Sequence, residues 1–116
     1  MKIYFLLDDD EPDVVADDLI DAIGLWLEAQ ETFVEVIDNR PDDVTKWELG
    51  VQLECKRKAH MKPALDFLFA LAKKMEREFV IGLYDKKGAK ENVCYFGHEE
   101  GCPDIDEVAM YLGLKR

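Results

Sequence analysis

The chain has 116 residues, 48% of them hydrophobic and 10% aromatic, and it has no stretch dominated by Gly, Ser, Pro or Gln. This fits one folded domain with a single core and argues against a disordered chain. The net charge of −11 is uneven: residues 1–43 hold 14 of the 26 acids but only two of the 15 bases, Lys2 and Arg40, while residues 44–116 are close to neutral. A chain this acidic is repelled by phosphate backbones, so a nucleic-acid partner is not expected and a basic protein partner is.

In chain order, "KIYFLLD" (2–8) is a short apolar run stopped by acids and reads as a buried strand. It is too short for a signal-peptide core or a membrane span, so a cytoplasmic location and no membrane partner are expected. A helix should follow from Pro12, with acids in its first turn and Val15, Leu19, Ala22, Ile23 and Trp26 at helical spacing. "TFVEVID" (32–38) reads as a second strand, closed by the turn-forming "NRPDD". From Trp47 to Cys55, apolar residues alternate with Glu48, Gly50, Gln52 and Glu54, the pattern of a strand with one wet face.

A second helix is expected from about Pro63 to Arg77, with Leu65, Leu68, Phe69, Ala72 and Met75 forming its apolar stripe. "FVIGLYD" and "NVCYFG" flank "KKGAKE" as a hairpin. A short helix ends the chain, with Asp104 and Glu107 at its start and Gly113 at its end.

The order β-α-β-β-α-β-β-α predicts an α+β single domain (1–116): a ferredoxin-like split β-α-β sandwich, extended by one strand and a short helix, with a mostly antiparallel sheet. On this reading strands one and three are parallel central neighbours, and the last strand runs the same way. The loops 8–13, 55–62 and 97–102 should then converge at one end of the sheet.

Chemical motifs are few. "CYFGHEEGC" (94–102) spaces Cys94, His98 and Cys102 by four, but Gly97, Gly101 and Pro103 oppose the helix that would align them. No standard zinc spacing is present. Cys55, His60, His98 and Cys102 are the only metal candidates, and no metal or other cofactor is expected. Cys55, beside "KRKAH", is the only thiol with a basic neighbourhood suited to a nucleophile. The three cysteines suggest reduced thiols, with Cys55 and Cys94 in the core and both histidines in exposed loops.

"KIYFLLDDDEPD" resembles the start of a response-regulator receiver domain, in which paired aspartates at a strand end hold Mg²⁺. The resemblance covers about the first 30 residues and stops there. The third strand ends in "LECKRK", with no acceptor aspartate and with Glu54 facing solvent, and the strict β-α alternation is missing. There is no phosphate loop or hydrolase elbow, and serine is absent from the chain.

A non-enzymatic acidic protein-binding module is therefore expected, of the kind bacterial immunity proteins and antitoxins represent, blocking a basic partner such as a nuclease toxin. Its contacts would come from Asp8, Asp9, Asp10, Glu11, Asp13, Asp17, Asp18 and Asp21. The alternative is a small ligand-binding, metal-binding or enzymatic domain built on the three-loop end. A third option is a homodimer paired through a strand edge.

Overall fold

A computed structural model describes residues 1–30 and 34–114. Five strands and three helices follow in order: β1 (Lys2–Asp8), α1 (Ala16–Glu28), β2 (Val34–Asn39), β3 (Glu48–Glu54), α2 (Lys58–Met75), β4 (Glu78–Tyr84), β5 (Lys90–Gly97) and α3 (Ile105–Leu112). The strands form one antiparallel sheet in the order β2-β3-β1-β4-β5. No helix among the described residues is long and apolar enough to cross a membrane.

Two expectations about direction are overturned. β1 and β3 are central neighbours but run antiparallel, with Lys2 opposite Glu54 and Leu6 opposite Gly50. The reason lies in the connections. The α1 crossover returns β2 in the direction of β1, and the short link to β3 reverses the chain once more. β5 thus runs with β1 and against β3.

Segment 55–62 consequently leaves the sheet at the end opposite the loop 8–13, where the Cys55 amide donates to the carbonyl of Met1 at 2.7 Å. Only the loops 8–13 and 97–102 share an end. The third segment they meet is 76–78, the turn from α2 into β4.

The helix boundaries also differ from expectation. Pro12 opens a single 3₁₀ turn (Pro12–Val14), and the α-helix proper starts at Ala16. α2 starts at Lys58, so Pro63 lies inside it. As the sixth residue of α2, Pro63 lies past the first turn, so it denies the Ala59 carbonyl its helical N–H donor and crowds that carbonyl with its ring. Arg57 gives no side-chain cap, which removes the usual sequence cue for the true beginning. Of the expected strand 32–38, Thr32 and Phe33 lie outside the described residues. Asp104 and Gly113 bound α3 as predicted, the Asp104 carboxylate accepting from the Asp106 amide at 2.8 Å.

One sheet face carries Ile3, Phe5 and Leu7 of β1, Leu49, Val51 and Leu53 of β3, and Phe79 and Ile81 of β4. All three helices press onto it through Leu19 and Ile23 of α1, Met61, Leu65 and Leu68 of α2, and Val108 and Leu112 of α3. β1 sits in the middle and is buried from Ile3 to Leu7, which is why its sequence is continuously apolar rather than alternating.

The other face carries no helix, yet Tyr4, Leu6 and Val80 are buried there beside Ile37 and Tyr84. Tyr4 lies across Gly82 of the neighbouring strand, where a Cβ would meet its hydroxyl at 2.1 Å. Its hydroxyl donates to Asn92 of β5, and its ring meets Tyr84 edge-on at 5.3 Å. Tyr84 reaches over β1 to donate to Gln52 at 3.0 Å, and Gln52 donates to Glu35 of β2 at 3.2 Å. An ion pair between Lys90 of β5 and Glu48 of β3 joins the same face.

Candidate functional site

The acidic residues predicted for partner binding fall on two connected surfaces. The first is a cleft of about 630 Å³ at the sheet end, lined by Asp8, Asp9, Asp10 and Glu11, by Glu76, Arg77 and Glu78, and by His98 and Glu99. The sheet register explains the crowding, because Asp8 stands directly opposite Glu78 and Glu78 opposite Gly97. Burial and the nearby Asp10, Asp9 and Glu78 charges hold the Asp8 carboxyl above its ordinary value.

Arg77 is the cation in this cleft. Its Nε lies 2.7 Å from Asp9 Oδ2, and both atoms are shielded from solvent with no other partner. The N–H is not aligned on the oxygen, so the contact is an ion pair rather than a directed hydrogen bond. The guanidinium also donates to the carbonyls of Met75 and Glu76 at 3.3 and 3.1 Å, holding the end of α2. Asp9 Oδ1 accepts from the Glu11 amide at 3.0 Å. Asp9 is therefore engaged in structure, unlike the exposed Asp10, Glu11 and Asp13.

Glu78 is similarly committed. Its carboxylate accepts from the amides of Glu99 and Glu100, the shortest contact being 2.7 Å, and so fixes the turn after β5. Gly97 sits at φ +149°, where a Cβ would come within 2.3 Å of Glu78 Oε2. The "GHEEGC" segment is thus a tight turn closed by Gly97 and Gly101, whose amides and carbonyls bond each other at 2.9 and 3.1 Å.

The second surface is α1. Asp17, Asp18 and Asp21 are exposed, and Asp18, Asp21, Leu25 and Glu28 follow one helical stripe. Leu25 is 70% exposed in the middle of this acidic stripe, and Val14 is exposed in the turn before it. Between α1 and α2 runs a groove of Ala22, Leu25, Leu71 and Lys74, continued by Trp26, Phe67 and Ala70 at one end and by Asp18, Asp21 and Met75 at the other. Ala22 and Ala70 leave it open, while Trp26 stacks on Phe67 at 4.6 Å between ring centres.

The metal candidates are not brought together as a site. Cys55 is buried at the far end of the sheet and its thiol donates to the Arg57 carbonyl at 3.2 Å. Burial pushes the Cys55 thiol up, which also removes it as an accessible nucleophile. His60 is not a loop residue but lies in the first turn of α2, its Nδ1 accepting from the Lys56 amide at 3.2 Å. His98 and Cys102 are exposed. Cys94 is half-buried against the core, and burial raises its thiol pKa too. Among the described residues, no group of three His, Cys, Asp or Glu side chains could hold a metal ion.

Sequence reasoning missed Arg77 and Glu78, because their contacts with Asp9 and the 97–101 turn depend on strand order. It also passed over Leu25, whose position off the apolar stripe of α1 was a readable sign of an exposed hydrophobic. Comparison with protein-family models, curated proteins and solved structures finds no match for the chain.

Proposed function

We propose that the protein is a non-enzymatic, acidic protein-binding module that acts on a basic partner, in the manner of an immunity protein or antitoxin blocking a nuclease. The observation that carries this reading is the exposed run formed by Asp10, Glu11, Asp13, Asp17, Asp18 and Asp21, which forms no ion pair with a base among the described residues. Such a band raises the rate of encounter with a basic surface and disfavours acidic competitors. The ferredoxin-like description of the first six elements belongs to the same proposal and is supported by the order β2-β3-β1-β4.

A small-ligand role for the loop end is the second reading, favoured by the 630 Å³ cleft between the 8–11 and 98–99 segments. It now rests on those segments and 76–78, without 55–62. The two readings part under one experiment: association with the captured partner at low and physiological salt, for the wild type and for Asp10, Asp17, Asp18 and Asp21 changed to Asn. The binding-module reading expects a slower on-rate and a weaker salt dependence in the variant, and an unchanged on-rate contradicts it.

A further inference from the structure

We infer that the groove between α1 and α2 seats an apolar side chain of a basic, amphipathic segment of the partner, whose Lys or Arg residues meet Asp18 and Asp21. This rests on the binding-module reading and names the contact that would give it specificity.

Three features of the groove support the assignment. Its floor and walls are aliphatic and aromatic: Ala22, Leu25, Leu71 and the Trp26–Phe67 stack. The two overlapping parts of the groove measure about 480 and 540 Å³, enough for a large side chain. Its α1 rim carries Asp18 and Asp21, so charge and apolar surface alternate over one turn of helix. An apolar centre with a charged rim is the layout in which a few buried anchors carry most of the affinity.

Charge complementarity selects the occupant. A second copy of the chain, with net charge −11, would bring Asp18 and Asp21 against acids of its own kind across a two-fold contact. A basic segment meets no such opposition. Lys74 on the α2 wall sets the orientation, with the partner's bases toward α1 and any acid it carries toward α2.

The test uses a designed helical peptide of leucine and lysine as probe, read by Trp26 emission in a Trp47→Phe background. The inference expects binding that weakens at least about tenfold in Leu25→Asp, because the apolar seat is lost although negative charge is added. Unchanged or tighter binding in Leu25→Asp overturns the groove but keeps the acidic-band reading, provided Asp18→Asn/Asp21→Asn still weakens it. Binding unaffected by Asp18→Asn/Asp21→Asn, or equally reduced by Glu91→Gln on β5, at the sheet edge away from α1, overturns both. A leucine and glutamate peptide that binds as well as the lysine peptide also overturns both. Leu25 is exposed, and a matching thermal melt of Leu25→Asp confirms that folding is intact.

Discussion

Asp9 Oδ2 lies 2.7 Å from Arg77 Nε, tying the loop after β1 to the turn between α2 and β4. The Asp9 and Arg77 side chains are 19% and 30% exposed, so the pair is partly screened but better shielded than an open surface bridge. Asp9→Asn should lower stability by about 0.5–1 kcal/mol. Arg77→Ala should cost more, since it also frees the carbonyls at the end of α2 and leaves the cleft carboxylates without their cation. A double-mutant cycle by chemical denaturation measures the coupling, and additivity of the two changes would contradict it. Asp9 is for this reason a poor choice for probing partner contacts.

Asp8 behaves in the opposite way. Its carboxyl is held above the ordinary value of 3.8 by burial and by the charges of Asp10, Asp9 and Glu78. The folded chain therefore binds this proton more tightly than the unfolded chain, and the ionised form costs stability above the raised pKa. That cost fades as the pH falls through the raised value toward 3.8. Asp8→Asn should raise the melting temperature at neutral pH, by an amount worth less than about 1 kcal/mol because the site is largely solvated. The gain should shrink on acidification, and a gain independent of pH would count against the argument.

Glu76 closes α2 at φ 56°, ψ 49°, the left-handed region that favours glycine. Glu76→Gly should stabilise the fold by about 1 kcal/mol, since it removes a Cβ penalty and one charge from the acidic cleft. Chemical denaturation checks this, and a loss of stability would mean that the Glu76 side chain makes a compensating contact.

Tyr4 gives an alkaline signature. Burial, then the neighbouring Tyr84, Tyr95 and Glu91, raise its phenol from 10.0 to about 12. The neutral phenol is favoured in the folded state, so its contribution is fully present below pH 10 and is lost as the pH rises through about 12. Phenolate absorbance should show one tyrosine ionising last, and Tyr4→Phe should remove that step. Tyr4→Phe should also cost about 1 kcal/mol, the usual worth of its hydrogen bond to Asn92. A last step that persists in the variant would contradict the assignment.

Much of the fold was legible because the periods were clean. The alternation from Leu49 to Cys55 and the stripe from Leu65 to Met75 mark β3 and α2, and Asp104 and Gly113 mark the ends of α3. The direction of β3 was readable but misread: a helical crossover to β2 and a short link back make β3 run against β1, and that direction sends Cys55 and His60 away from His98 and Cys102. What the sequence hid was non-local: the acids of 8–21 could be read as exposed, but the engagement of Asp9 by Arg77 could not. Pro63 misled through a sound rule: proline favours the first turn of a helix, yet here it is the sixth residue of α2, inside the helix.

The central claim is that a basic protein binds the acidic band reaching from Asp10 to Asp21. The most direct measurement is capture from the native lysate at low ionic strength with two tagged baits: wild type and the Asp10, Asp17, Asp18, Asp21→Asn variant. The prediction is one basic protein, held one to one by the wild type, released by salt and lost from the variant. Equal recovery of that protein by the two baits, or a partner that is itself acidic, would contradict it.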